Sequence, residues 1–326
     1  MEKGERTDLQ PALLPDLFER ASPIVLNGLL ERARWHPGIV AILGAFLGMA
    51  SYLVVGNVAT VVLLLTSGVG VEAIMNDLAA VIQAQVGTLL TGNAIGLFGG
   101  MGALTLLLVR LHTPNIWSFV RLRKPDPRSL ALAVGGLVVF IPIIQWVGQL
   151  NELMPMPEFL REMESLQMEL LNDVLLGEMN LAVSLLLVAV TPALCEEVFF
   201  RGYVQRNLER AFGVGAAILS TGVLFGLLHL RPSQLLPLTL LGAYLAYLTW
   251  RTGSLWIPIA VHFFNNALAI VTAAIIGGRE DYDIAALEAI DIPWYIITGC
   301  GILFGSVVYA LHNATRKHHE GAKETS

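Results

Sequence analysis

Long apolar runs recur from one end of this chain to the other, and its polar residues collect in the connections between them. A helix needs about 20 residues to cross roughly 30 Å of hydrocarbon. No water reaches backbone N–H and C=O groups at that depth, so each run must satisfy them internally as a helix. The pattern predicts eight spans, over residues 38–65, 90–110, 129–150, 181–203, 214–231, 235–250, 255–276 and 293–311. The expected fold class is an all-α polytopic membrane protein with about eight transmembrane helices. One transmembrane domain over 37–312 is expected, with a four-helix core at about 180–276 and a polar tail at 313–326.

The remaining segments have weaker periods. Residues 1–36 space Leu13, Leu14, Leu17, Phe18, Val25, Leu26, Leu29 and Leu30 as an amphipathic helix on the cytoplasmic membrane surface would. Residues 159–175 place Phe159, Leu160, Met163, Leu166, Leu170, Leu171 and Val174 on one face, which predicts an interfacial cap on the external side. The glycines from Gly92 to Gly102 predict close helix packing.

Composition agrees with the pattern. Charged residues are 14% of the chain and hydrophobic ones 55%, against roughly 25% charged in soluble domains. The net charge of −6 and the lack of a basic stripe argue against a nucleic-acid partner. Cys195 and Cys300 are too few for a disulfide framework. The first residues lack the apolar run and cleavage site of a removable signal peptide.

Lys and Arg placement sets the orientation. None occurs between Arg34 and Arg110, which points to an external connection at 66–89. Arg110, Arg121, Arg123, Lys124 and Arg128 then mark a cytoplasmic loop. Seven acidic residues against Arg161 make 151–180 external. Arg201, Arg206 and Arg210, then Arg251, then Arg316 and Lys317 return to the cytoplasm, so both termini are expected there, in a plasma (inner) membrane.

The chemistry lies in polar residues inside apolar runs, where each ionisable group costs about 2.5–3.5 kcal/mol to insert. Span four ends in Glu196-Glu197-Val-Phe-Phe-Arg201. Glu197 and Arg201 are four apart and share a face, so they can pair. Glu196 points about 100° away, without a local partner. An unpaired carboxylate in a low-dielectric site suits a general base. Span five carries Phe225-x-x-x-His229. If spans four and five turn at Gly213, Glu196 lies 17 residues before the turn and His229 16 after it, at nearly equal depth. That hairpin would project from the bilayer with Arg206, Glu209 and Arg210 wet, and the cavity would open on the Arg206 and Arg210 side. Span seven adds His262-x-x-x-Asn266, one face able to donate two hydrogen bonds towards a developing oxyanion.

Glu-Glu-x-x-x-Arg at 196–201, Phe-x-x-x-His at 225–229 and His-x-x-x-Asn at 262–266, in that order, resemble the CPBP family (CAAX protease and bacteriocin-processing, or Abi), which includes the type II CAAX prenyl endopeptidases. The resemblance covers about residues 180–276 and implies an eight-helix intramembrane endopeptidase. By position it makes Glu196 activate water with His229, while His262 and Asn266 stabilise the oxyanion and Glu197 with Arg201 supports the site together with Phe225. It implies membrane lipids and a membrane-anchored or lipidated protein or peptide as partners. A metal-free, glutamic mechanism is expected. The metallo alternative would place zinc on Glu196, His229 and His262, although no His-Glu-x-x-His occurs. Two other functions fit part of the pattern: a non-catalytic immunity or scaffold protein, which needs none of the four polar residues, and a proton-coupled transporter.

Overall fold

The structure, a computed structural model, describes residues 12–14, 24–162, 164–165, 179–276 and 291–315. Eight long helices carry it: α1 (Pro37–Thr66), α2 (Val86–Arg110), α3 (Pro127–Glu152), α4 (Leu181–Phe212), α5 (Val214–Leu228), α6 (Leu235–Thr252), α7 (Trp256–Ile276) and α8 (Trp294–Ala314). Six of them, α1 to α4, α7 and α8, are long and apolar enough to cross a membrane. The chain is an all-α polytopic membrane protein.

Punctuation residues set the ends. Pro37 and Pro127 open α1 and α3, where a missing N–H costs nothing, and the Asp126 carboxylate caps α3 by accepting from Ser129 N–H at 2.8 Å. Gly213 adopts φ +80° and turns α4 into α5, at the predicted hairpin, and Gly253 at φ +64° does the same between α6 and α7. At 15 residues, α5 is only about 22 Å long. It stops short of a full crossing, and His229 sits at its end.

Without a hydrophobic drive between helices in lipid, close backbone approach has to hold the bundle. The predicted glycine stretch of α2 does this against α1: a Cβ on Gly96 would lie 2.8 Å from Gly56 Cα, and one on Gly100 2.5 Å from Ser51 O. α5 and α6 approach in the same way, since a Cβ on Gly242 would lie 3.0 Å from Gly222 Cα. α8 packs on α3 at the rim, with Phe304 stacked on Phe140 at 4.3 Å.

The N-terminal segment corrects an expectation. Instead of an amphipathic helix, its described residues form two short antiparallel strands, β1 (Ala12–Leu14) and β2 (Ile24–Leu26), and one helical turn at Leu29–Arg32. In β2 burial alternates, with Ile24 and Leu26 inward and Val25 outward, so the operative period is two rather than 3.6. Tertiary docking fixes this conformation. Gly28 N–H donates to His112 O at 2.8 Å, and a Cβ on Gly28 would meet Leu111 O at 2.0 Å. Leu17 and Phe18 lie outside the described residues. The interfacial helix predicted over 159–175 begins with helical residues 158–162, and from 166 onward it also lies outside them.

Nor are the charges beyond Arg201 wet. Arg206 is 5% exposed, Glu209 accepts from Arg121 (Nη1 at 3.1 Å), and Arg210 Nη2 donates to Glu31 at 2.9 Å. Glu31 also pairs with His112 Nδ1 at 2.7 Å. The loop at 121–123 and the strand-and-turn segment cover this end of α4, where Glu209 and Arg210 find partners inside the protein.

Candidate active site

α4 is not a uniform α-helix. Residues Leu185–Val190 and Val198–Val204 run as π turns on either side of a short α segment, Thr191–Glu197. Thr191 Oγ1 reaches back five residues to Leu186 O at 2.8 Å, and Pro192 has no N–H to offer Val188 four residues before it. Asn266 Nδ2 on α7 donates to that Val188 carbonyl at 3.2 Å. A side chain from a neighbouring helix thereby satisfies a backbone group in the bundle interior, as tolerated prolines in membrane helices require. π turns occur frequently at functional sites because they re-aim the side chains around them.

The two adjacent carboxylates of this segment face different neighbours. Glu197 and Arg201 are both fully buried, and Arg201 Nη1 donates to Glu197 Oε1 at 2.6 Å. His262 Nδ1 meets the same oxygen at 2.9 Å. Arg201 Nη2 donates to Gly242 O on α6 at 2.9 Å, and its guanidinium lies 4.6 Å from the centroid of Phe225. One side chain therefore joins α4 to α5 and α6, while Glu197 adds α7. Charge-assisted bonds and a cation over an aromatic face make burial of the pair tolerable.

Glu196 faces α5. Its Oε2 lies 3.8 Å from His229 Nε2, beyond a direct hydrogen bond and within reach of one bridging water. His229 Nδ1 contacts Phe225 O at 2.6 Å. A carbonyl can only accept, so Nδ1 carries a proton, and in the neutral ring Nε2 offers a lone pair towards Glu196. The Phe225 ring is 4.4 Å from the His229 ring and 5.7 Å from that of His262, so one aromatic side chain separates the two imidazoles. Glu196 and His229 line a cavity of about 150 Å³ shared with Tyr52 and the apolar Met49, Leu97 and Met101. At about 30 Å³ per water molecule it has room for several.

Glu196 and His229 lie opposite each other across the hairpin and Glu197 and Arg201 pair at i, i+4, both as their spacing predicts. His262 and Asn266 do not line the Glu196–His229 cavity. His262 joins Glu197, and Asn266 turns to the α4 backbone while accepting from Asn265 Nδ2 at 3.2 Å. Neither Arg206 nor Arg210 lines the cavity. Arg231 sits beyond His229 beside Glu164, Nε to Oε1 3.8 Å, in a polar cluster with Ser233. Glu196, His229 and His262, the trio a zinc ion would use, are divided between two carboxylates, and among the described residues no three His, Cys, Asp or Glu side chains are grouped for a metal.

Sequence reasoning missed Tyr52 on α1 and Asn93 on α2. The Tyr52 hydroxyl donates to Asn93 Oδ1 at 2.6 Å. The available signal was Asn93 itself, an amide inside an apolar, glycine-rich run, where a polar side chain has to find a partner.

Residues 178–268 match the family model for type II CAAX prenyl endopeptidase, Rce1-like. A stretch of 92 residues is 29% identical to "Putative membrane peptidase YdiL" of Bacillus subtilis (strain 168), covering 28% of this chain and 38% of that protein. No solved structure matches the chain significantly. Glu196, Glu197, Arg201, Phe225, His229, His262 and Asn266 all fall inside the matched segment, whereas Tyr52 and Asn93 lie outside it.

Proposed function

We propose that this protein is an intramembrane endopeptidase in which Glu196 and His229 hold and activate the hydrolytic water. The observation that carries the reading is the 3.8 Å gap between Glu196 Oε2 and His229 Nε2 in a cavity among membrane helices. Both atoms accept when the imidazole is neutral, so one water bridges them by donating a hydrogen to each. Its lone pairs then remain free for a carbonyl carbon. In the step itself the water oxygen bonds to that carbon as Glu196 takes the water proton. The carbonyl π pair moves onto oxygen, and collapse of the tetrahedral intermediate breaks the C–N bond as the proton passes to the leaving amine.

Glu197, Arg201 and Phe225 fix the frame around this pair. With Nδ1–H directed at Glu197, His262 donates towards an oxyanion from Nε2 only as the imidazolium. Asn266 contributes through the shape of α4. No step in this scheme calls on a metal, and the division of Glu196, His229 and His262 between two carboxylates supports a metal-free mechanism. The Rce1-like match supports a prenylated or otherwise membrane-anchored protein as the substrate class. The Lys and Arg distribution supports cytoplasmic termini.

The test is cleavage of a farnesylated peptide ending in a CAAX sequence by purified, liposome-reconstituted protein. Glu196→Gln should lose cleavage while keeping its helix content and melting temperature, and the wild-type rate should persist after dialysis against a strong chelator. Turnover by Glu196→Gln near the wild-type rate would sink the general-base assignment. Restoration of a chelated sample by zinc alone would overturn the metal-free scheme.

A further inference from the structure

The developing oxyanion needs hydrogen-bond donors, and the motif residues His262 and Asn266 do not line the Glu196–His229 cavity. Asn266 Nδ2 donates to Val188 O, and His262 Nδ1 to Glu197. Of the side chains that line the Glu196–His229 cavity, Tyr52 alone carries a neutral O–H donor; the remainder are apolar apart from Glu196 and His229 themselves. We infer that the Tyr52 hydroxyl, oriented by Asn93, is a donor that stabilises the tetrahedral oxyanion. This rests on the reading of Glu196 and His229 given above.

Its ground-state partner makes the arrangement selective for the transition state. Before reaction the Tyr52 hydroxyl donates to Asn93 Oδ1 at 2.6 Å, a neutral–neutral hydrogen bond. A hydroxyl hydrogen rotates to suit its acceptors. When negative charge forms on the substrate oxygen, turning the O–H towards it exchanges that bond for a charge-assisted one, roughly twice as strong. For the uncharged substrate carbonyl the exchange trades one neutral hydrogen bond for another and gains little, so the interaction accelerates chemistry without tightening substrate binding. Asn93 anchors the Tyr52 oxygen and is a positioning residue. Both residues sit on α1 and α2, held together by the close contact of Gly96 with Gly56, so helices outside the matched segment complete the site.

The test uses the same reconstituted protein and farnesylated CAAX peptide. Tyr52→Phe removes only the hydroxyl, and kcat should fall about 100-fold to 1000-fold, the loss seen on deleting one oxyanion donor, with KM within about twofold. Asn93→Ala should lower kcat by less than about tenfold, because the hydroxyl remains to donate. A Tyr52→Phe kcat within threefold of wild type, beside an inactive Glu196→Gln, overturns this inference and leaves the general base standing. Equal losses in Tyr52→Phe and Asn93→Ala, with matching falls in melting temperature, reduce the pair to a structural contact between α1 and α2. A Glu196→Gln variant as active as wild type removes both readings.

Discussion

Arg201 is fully buried, and its guanidinium divides its donors between a carboxylate on its own helix and a carbonyl on α6. A lysine, with one nitrogen, could not serve both acceptors from one geometry. Removing one member of a buried ion pair strands the other charge in a low dielectric, which costs about 3–5 kcal/mol, much of it recovered when both go. Glu197→Gln should therefore lower stability by about that amount. Glu197→Gln with Arg201→Met should cost less than the sum of the single changes, measured by denaturant unfolding in detergent. Additive losses would show that the two side chains are not energetically coupled. Spacing alone disclosed this pair, because i and i+4 share a face on any α-helix. It could not assign His262 to Glu197 rather than Glu196. Adjacent carboxylates differ by about 100° of rotation, and the π turns beside them add an offset that no apolar period reveals.

At the scale of elements, the eight apolar runs gave the eight helices to within a few residues at most ends, because the hydrocarbon leaves the backbone no other choice. Where water and protein compete for the backbone, the reading was poorer. β2 alternates because the end of α2 offers the His112 carbonyl to Gly28 N–H and the Thr113 hydroxyl to Val25 O, Oγ1 to O 2.9 Å, and this long-range docking leaves no trace in local spacing. The interior of α4 was illegible for a different reason: its π turns involve Pro192 and a contact from Asn266, 78 residues beyond Val188 in the chain. If Asn266 serves to satisfy the carbonyl that Pro192 leaves open, the two positions are coupled. Asn266→Leu should cost about 1–3 kcal/mol by leaving Val188 O unpaired. In a Pro192→Ala background, where residue 192 regains an N–H, the same change should cost distinctly less. A double-mutant cycle on thermal or denaturant unfolding measures the difference, and a coupling energy near zero would separate Asn266 from the α4 backbone.

Across the whole molecule, the N-terminal strand-and-turn segment joins the bundle through charge as well as packing. Glu31 accepts from His112 Nδ1 on the α2 side at 2.7 Å and from Arg210 Nη2 on α4 at 2.9 Å, and the backbone of Gly28 is bonded to His112 O. One carboxylate thus ties a segment before α1 to the end of α2 and to the helix that carries Glu196 and Glu197. Burial raises the Glu31 pKa, but the hydrogen bonds from His112 and Arg210 and the nearby Arg210 charge outweigh it, holding the carboxyl below its usual 4.5. A carboxyl whose folded-state pKa lies below its unfolded value contributes stability that is complete above the unfolded value and disappears as pH falls through the folded one. At neutral pH, Glu31→Gln should therefore melt at a lower temperature than wild type, since Gln keeps the size but loses the charge that Arg210 faces. As the pH is lowered below 4.5, wild type should lose stability faster than the variant, until the two melting curves converge. Melting temperatures of both proteins across an acid pH series, in one detergent at constant ionic strength, provide the check. A gap between the curves that stays constant through the whole series would mean that Glu31 contributes by its shape and not by its charge.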